Sequence, residues 1–157
     1  MARQIALNKR IILALDLADP REARQWVNRL SGRISYYKVG MELFLAGGWE
    51  MVRWILDQGQ EVMLDLKLFD VPRTVHAAVQ QVKGSGVTSL TLHGDRSILE
   101  AASRDPGQLS LLAVTVLTSM GGDLPGEHSS GWSTQDLVLK RARLARDCGC
   151  AGSFARL

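Results

Sequence analysis

The sequence predicts an α/β protein with a parallel β-sheet, built from five strand–helix units and the start of a sixth. Short apolar runs alternate with amphipathic helical patterns, and successive strands begin about 22 to 27 residues apart. Such spacing is typical of parallel strands joined by right-handed crossovers. A (β/α) barrel and a doubly wound sheet both fit this pattern. No Gly-x-Gly-x-x-Gly follows the first strand, so a dinucleotide-binding sheet lacks its usual signature.

The first unit has clear start and stop signals. A continuous apolar run over residues 11–15 predicts a strand that is buried on both faces. Asp19 then has the position of a helix N-cap and Pro20 that of the first helical residue. Gly32 marks the end of this helix.

The second and third units follow the same plan. The second strand is predicted over residues 34–39, with Lys38 near its end, and a helix is predicted over residues 48–58. The apolar run 62–64 predicts the third strand, which leads into a polar cluster. Pro72 begins the helix that follows, because proline is favoured in a first helical turn.

The fourth and fifth units are predicted from residue 87 onward. Strands are expected over residues 87–93 and 109–117, with a short helix over 97–102 between them. The connection 118–133 is rich in Gly and Ser and longer than packing needs, which is typical of functional loops. A capping-box pattern at residues 133–136 then predicts the start of another helix.

Length and composition are those of one soluble globular domain. The 157 residues are 46% hydrophobic and 22% charged, and no apolar run approaches the roughly 18 residues that span a bilayer. The first ten residues lack the apolar core of a signal peptide. We therefore expect a cytoplasmic protein with no membrane association. The net charge of +3 is small, and the basic run 140–146 fits a solvated helix face rather than a nucleic-acid surface.

The cysteines and histidines do not predict a metal site. Cys148 and Cys150 are one residue apart, which suits neither a structural disulfide nor a Cys-x-x-Cys half-site. We interpret them as reduced, structural thiols. The three histidines have no metal-ligand spacing.

The polar cluster after the third strand reads Asp65-x-Lys67-x-x-Asp70. Residues two apart on a strand point the same way, so Asp65 and Lys67 are expected to share a face. Asp70 follows on the loop to the next helix. Parallel sheets keep their chemistry at this end of the strands. The motif alone also fits a surface ion pair.

Other polar residues occupy the same position on their own strands. In a barrel the carboxyl ends of the strands converge on one rim, so these side chains are expected to meet there. The candidates are Asp16, Lys38, Asp65, Lys67, His93 and Ser119.

The stretch from Asp65 to Thr74 closely resembles the signature of the orotidine 5'-phosphate decarboxylases, in which the Asp-x-Lys-x-x-Asp motif is followed by an aliphatic residue, Pro and a Thr. Val71, Pro72 and Thr74 hold those positions here. The resemblance extends over residues 11–149. It implies a (β/α)8 barrel of the TIM type, here incomplete with about five to six βα units.

The resemblance also implies roles for individual residues. Asp65 and Lys67 match the catalytic pair of the family. Lys38 matches a second-strand lysine that contacts the ribose and the catalytic carboxylates. Asp70 matches a catalytic carboxylate that the family supplies across a dimer interface.

The implied substrate-binding residues lie on the first, second, third and fifth units. Asp16 matches a residue that binds the ribose, together with Lys38. Thr74 is implied to reach the neighbouring subunit's site. Thr118 and Ser119 lie in the segment whose Ser recognises the pyrimidine.

The function implied by this resemblance is the decarboxylation of orotidine monophosphate to uridine monophosphate and CO2 in de novo pyrimidine biosynthesis. The family uses no metal ion and no organic cofactor. The implied assembly is a cytoplasmic homodimer in which Asp70 and Thr74 complete the partner's site.

The resemblance ends near Gly152, and residues 153–157 do not follow the family pattern. We therefore expect residues 1–157 to form a single partial barrel domain, truncated at the C-terminus, without the last strands and the phosphate-binding loop. The alternative expectation is a catalytically inactive fragment.

A less favoured alternative is an Mg²⁺-dependent sugar-phosphate decarboxylase or synthase of the same superfamily. At the second strand, those enzymes have a Glu-x-Gly motif, in which the Glu helps to bind the metal ion. This chain has Lys38-Val-Gly40 instead, and an ammonium cannot ligate a cation.

Overall fold

The computed structural model describes residues 6–116 and 133–155. Within them the chain forms parallel strands that alternate with helices, after a short 3₁₀ turn at Leu7–Lys9. The strands are β1 (Leu13–Ala14), β2 (Tyr36–Gly40), β3 (Glu61–Leu68), β4 (Ser89–His93), β5 (Ser110–Val114) and β6 (Gly152–Phe154). The helices are α1 (Pro20–Arg29), α2 (Met41–Asp57), α3 (Pro72–Val82), α4 (Arg96–Ala102) and α5 (Thr134–Asp147).

The strand order distinguishes between the two architectures that the sequence left open. The sheet has the order β1-β2-β3-β4-β5-β6, so every strand pairs with its neighbours in sequence. A doubly wound sheet reverses its order at a switch point, whereas a (β/α) barrel does not. The structure therefore confirms an incomplete barrel of six strands.

The chain divides into two compact units. The first contains residues up to 66 together with 85–89, and the second contains residues 67–84 together with those from 90 onward. The expectation of a single partial barrel domain stays a prediction.

The first unit holds β1, β2 and most of β3, with α1 and α2 packed on them. Its parallel register pairs Ala14 with Lys38 and Gly40 with Asp65. Each helix buries part of its predicted apolar stripe, although Trp26 of α1 is 40% exposed. The core side chains include Ala23, Val27, Val39, Leu43, Met51, Ile55, Val62 and Leu64.

Helix α1 confirms its predicted start. The side chain of Asp19 accepts a hydrogen bond of 2.8 Å from the Arg21 N–H, and Pro20 is the first helical residue. Helix α2 differs from the prediction of a start at residue 48. It begins at Met41, directly after β2, and Gly48 breaks it with φ 54° and ψ −152°. Gly48 was the predicted start of the helix but instead joins two helical segments. Its backbone conformation is one that residues with a side chain disfavour, which explains why a glycine is found there.

The second unit holds α3, most of β4, α4, β5, α5 and β6. Pro72 is the first residue of α3, as predicted. Ser133 and Asp136 form the predicted capping box: the Asp136 N–H donates to Ser133 Oγ, and the Ser133 N–H donates to the Asp136 carboxylate. The beginning of a sixth strand is confirmed, because β6 pairs with β5 in parallel register from Leu112 and Gly152 onward.

None of the helices in the described parts of the chain is long and apolar enough to cross a membrane.

Candidate active site

Three of the predicted residues meet at the carboxyl ends of the strands of the first unit. The ammonium of Lys38, on β2, lies 2.6 Å from Asp16 Oδ1 and 3.5 Å from Asp65 Oδ2. The parallel register brings these positions to the same edge, since Gly40 pairs with Asp65. We call Asp16, Lys38 and Asp65 the Lys38 cluster.

The Lys38 cluster is only partly open to water. The side chains of Lys38 and Asp65 are 20% and 12% exposed, whereas that of Asp16 is 64% exposed. Two carboxylates close together repel each other, and a lysine between them offsets that repulsion. The absence of a side chain at Gly40 keeps the space beside the cluster open, because a Cβ there would lie 3.4 Å from both Asp16 Oδ1 and Lys38 Nζ.

Lys67 lies near the end of β3 with an unusual backbone. Its φ is +48°, in the left-handed region that residues with a side chain rarely adopt. Its N–H donates a hydrogen bond of 2.9 Å to Thr91 Oγ1 on β4. The alternation rule assumes an extended backbone, so it does not by itself fix the direction of the Lys67 side chain relative to Asp65.

Asp70 and Thr74 lie on the loop after β3 and in the first turn of α3, and both are exposed. The carboxylate of Asp70 accepts a hydrogen bond of 2.7 Å from the Val71 N–H. This contact shapes the entry to the helix and leaves the second carboxylate oxygen available to a further donor.

The structure thus brings Asp16, Lys38 and Asp65 together and places Lys67 on the same strand as Asp65. The catalytic and substrate-binding roles of these residues, and those of Asp70 and Thr74, stay predictions. The predicted substrate-binding residues Thr118 and Ser119 lie outside the described residues.

A second group of polar side chains lies at the ends of β4 and β5, in the second unit. Asp95 Oδ2 lies 2.5 Å from His93 Nδ1, and Asp95 Oδ1 lies 3.6 Å from the guanidinium of Arg141. Arg141 also donates a hydrogen bond to the carbonyl oxygen of Thr115. The ring of Phe69 packs on His93 with centroids 4.6 Å apart. We call His93, Asp95 and Arg141 the Arg141 cluster.

Arg141 corrects one sequence interpretation. The basic run 140–146 was expected to form a solvated helix face, yet the side chain of Arg141 is only 9% exposed. Helical spacing contained the signal, because Arg141 follows the buried Leu137 by four residues and precedes the buried Ala145 by four. A guanidinium at such a position needs buried partners, which the sequence does not identify.

The two cysteines are free thiols, as expected. Burial raises the pKa of both Cys148 and Cys150. A raised thiol pKa lowers the reactive thiolate fraction, which fits a structural role. Among the residues that the structure describes, no three His, Cys, Asp or Glu side chains are grouped to hold a metal ion.

Comparison with known proteins gives one consistent result. The model of the Orotidine 5'-phosphate decarboxylase / HUMPS family matches residues 9–156. The chain is 46% identical over 152 residues to the orotidine 5'-phosphate decarboxylase of Methylococcus capsulatus, covering 96% of this chain and 62% of that protein. The corresponding protein of Nitrobacter winogradskyi is 40% identical over 94% of this chain and 62% of its own length. The chain therefore spans about three fifths of the length of these curated relatives.

Solved structures agree with this result. The crystal structure of orotidine 5'-phosphate decarboxylase from Lactobacillus acidophilus has a TM-score of 0.82 and 29% identity, and the match covers 92% of this chain and 70% of that one. An uncharacterized conserved protein from Geobacillus kaustophilus has a TM-score of 0.77 and 30% identity over 90% of this chain and 71% of its own. Since the family model spans nearly all of it, this chain belongs to the orotidine 5'-phosphate decarboxylase / HUMPS family.

Proposed function

We propose that this protein is an orotidine 5'-phosphate decarboxylase, which converts orotidine monophosphate to uridine monophosphate and CO2. The observation that carries the proposal is the Lys38 cluster, in which one ammonium lies between Asp16 and Asp65 at the carboxyl ends of the strands. That edge is where (β/α) barrels hold their active sites. The names of the curated relatives support the same reaction.

Lys67 is the proposed proton donor. The bond between C6 of the pyrimidine and the carboxylate breaks, its electron pair remains on C6, and CO2 leaves. The ammonium of Lys67 stabilises the negative charge that develops on C6 and then transfers a proton to that carbon. Water afterwards returns the proton to the amine. No oxidant, metal ion or organic cofactor is needed to balance this step.

Asp65 and Lys38 set the electrostatic environment of the reaction. A carboxylate beside Lys67 favours the ammonium form that the reaction requires. Asp65 placed near the substrate carboxylate also repels it, and that repulsion is relieved when CO2 departs. We rank this second effect below charge stabilisation by Lys67. Lys38 keeps the carboxylates of Asp16 and Asp65 in place.

Substrate binding is assigned to the rim of the same strands. Asp16 is more exposed than the other members of the Lys38 cluster, which suits an acceptor for ribose hydroxyls. Thr118 and Ser119 are proposed to recognise the pyrimidine, and Thr74 is proposed to contribute across the dimer interface.

The proposed assembly is a homodimer in which Asp70 and Thr74 complete the partner's site. The surroundings of Asp70 support this arrangement, because Phe69 and Val71 on either side are 68% and 62% exposed. Exposed apolar side chains next to a functional carboxylate are typical of an interface. We place the protein in the cytoplasm, where the free thiols Cys148 and Cys150 stay reduced.

The test follows the ultraviolet absorbance of orotidine monophosphate. Because the relatives are longer, we would assay residues 1–157 and the same chain extended with the remaining C-terminal part of the Methylococcus capsulatus relative. We expect turnover in the active form to fall by about 10³-fold or more in Lys67→Ala. Lys83→Ala, at the end of α3 where the lysine pairs with Asp105, is the matched control and should keep its turnover. Absence of turnover from both forms would overturn the proposed function.

Two further arms separate the alternatives. Added EDTA should leave the rate unchanged, whereas a Mg²⁺-dependent sugar-phosphate enzyme would lose activity. Mixing a Lys67→Ala chain with an Asp70→Ala chain should restore activity at one site of each mixed dimer. If subunit exchange restores nothing, the shared site is wrong.

A further inference from the structure

The backbone of Lys67 is held in a conformation that a lysine does not favour. Among residues 6–116 and 133–155 it is the one non-glycine residue with a positive φ, +48°. The other residues in that region are glycines such as Gly32, Gly59 and Gly149, which adopt it without steric conflict. Strained backbone of this kind persists where the surrounding structure fixes it, and it concentrates at functional sites.

A side chain provides the contact that fixes the backbone conformation of Lys67. The N–H of Lys67 donates a hydrogen bond of 2.9 Å to the hydroxyl of Thr91 on β4. Between neighbouring parallel strands such an N–H ordinarily meets a backbone carbonyl. A hydroxyl extends beyond the backbone of its strand, so it can meet an N–H whose direction the left-handed turn has changed.

The surroundings of Thr91 keep its hydroxyl in a fixed position opposite the Lys67 N–H. It is fully buried, and its neighbours Leu90 and Leu92 are fully buried as well. A β-branched side chain has few rotamers in a strand, so its hydroxyl stays in one direction. Lys67 itself is exposed, and the direction of its long side chain depends on the backbone conformation below it.

We propose that Thr91 is a positioning residue: its hydroxyl holds Lys67 in the left-handed conformation and thereby aims the amine that protonates the substrate. This inference rests on the proposed function of Lys67. It assigns Thr91 a role through Lys67 and not a contact with the reacting atoms. A displacement of about 1 Å in a catalytic group can lower a rate by about 10²-fold, so one hydroxyl is sufficient for a large kinetic effect.

The decisive variant is Thr91→Val, which keeps the shape and removes the hydroxyl. We expect kcat to fall about 10- to 100-fold while KM changes less than about threefold, because the substrate contacts stay in place. Thr91→Ser restores the hydroxyl and should remain within about threefold of the wild-type kcat. The matched control is Ser89→Ala on the same strand. It removes a buried hydroxyl whose hydrogen bond, of 2.7 Å, is to Tyr36, so kcat should be nearly unchanged.

A spectroscopic readout separates this inference from the proposed function. In isotope-labelled residues 1–157, the Cα and Cβ chemical shifts of Lys67 report its backbone conformation, and amide exchange reports its hydrogen bond. We expect Thr91→Val to move these shifts and to speed the exchange of the Lys67 amide, with Thr91→Ser and Ser89→Ala resembling the wild type. This readout decides the positioning role even if no decarboxylation is found. Unchanged Lys67 shifts and exchange in Thr91→Val would overturn the inference, and so would an equal loss of kcat in Ser89→Ala.

Discussion

The Lys38 cluster and the Arg141 cluster use the same kinds of residue at the same end of their strands, but their surroundings differ. Lys38 lies between two carboxylates, and one of them, Asp16, is 64% exposed. Arg141 is only 9% exposed and has a backbone carbonyl as well as a carboxylate for its guanidinium.

This difference favours a structural role for the Arg141 cluster and agrees with the chemical role proposed for the Lys38 cluster. A guanidinium with fixed backbone and carboxylate partners ties α5 to the end of β5, and nothing in that role requires a substrate. In the Lys38 cluster an ammonium lies between two carboxylates, and one of them, Asp16, is exposed to water. Asp16 can therefore form hydrogen bonds to a ligand in addition to its contact with Lys38. The exposure of a charged side chain at a strand end, and the type of its partners, therefore distinguish a structural role from a functional one better than its residue type does.

The largest expected effect is on activity in the Lys38 cluster. Lys38→Met leaves Asp16 and Asp65 without their shared counter-charge, so we expect kcat/KM for orotidine monophosphate to fall about 10²- to 10³-fold. The free energy of unfolding, measured in urea, should change less than in Arg141→Met, because Asp16, one of the two carboxylates, is 64% exposed. Arg96→Met breaks the exposed pair with Glu100 and should leave both quantities nearly unchanged. Full activity in Lys38→Met would remove Lys38 from the site.

The opposite result is expected in the Arg141 cluster. Arg141→Met removes the donor of the buried hydrogen bond to the Thr115 carbonyl and the cation beside Asp95, which keeps its contact with His93, so the free energy of unfolding should fall by about 1–3 kcal/mol. Arg143→Met, on the exposed side of the same helix, is the matched control and should change it by less than about 0.5 kcal/mol. Urea denaturation of both variants measures this difference, and equal midpoints would show that Arg141 does not anchor α5.

Gly94, beside the Arg141 cluster, and Gly40, beside the Lys38 cluster, provide a further test of the difference between the two clusters. A Cβ at Gly94 would lie 2.7 Å from the carbonyl oxygen of Val114, so Gly94→Ala forces the backbone to move and should destabilise the protein by about 1–3 kcal/mol. A Cβ at Gly40 would meet only the ends of the Asp16 and Lys38 side chains, at 3.4 Å. Gly40→Ala should therefore change the unfolding free energy by less than about 0.5 kcal/mol and act on kcat/KM instead. A larger loss of stability in Gly40→Ala than in Gly94→Ala would contradict this assignment.

The smallest effect concerns the cap of α5. The Ser133 side chain, followed by the Ser133 N–H, holds the pKa of Asp136 below its usual value near 3.8. A carboxyl whose pKa is lowered by folding stabilises the protein at pH values above its unfolded pKa. This stabilisation is lost as the pH falls through the folded pKa. Asp136→Asn should lower the urea midpoint at about pH 7, and the difference from wild type should shrink below about pH 3. Asp147→Asn at the other end of the helix should not lower the midpoint, because a carboxylate there opposes the helix dipole.

Local signals predicted much of this structure. Pro72 and the Ser133–Asp136 capping box act through neighbouring backbone, so the sequence alone located the starts of α3 and α5. The position of Lys38 at the end of a predicted strand likewise led to its cluster. These features depend on contacts within a few residues or on strand position, which periodicity reveals.

Other features depend on distant partners and were not predicted. The helical segment before Gly48 was missed because a Gly-Gly pair fits a helix start as well as a break. The burial of Arg141 depends on Asp95 and Thr115, which lie 46 and 26 residues earlier in the chain. The left-handed backbone of Lys67 depends on Thr91, and a strand pattern does not encode such an exception.

The backbone of Lys67 also has a consequence for evolution in the laboratory. Position 67 has a conformation that glycine adopts freely and that costs a lysine about 1 kcal/mol or more. A selection for heat resistance alone would therefore favour Gly or Asn at this position and eliminate the amine. Retention of lysine here, when the proposed decarboxylation is selected as well, would support the catalytic role proposed for Lys67.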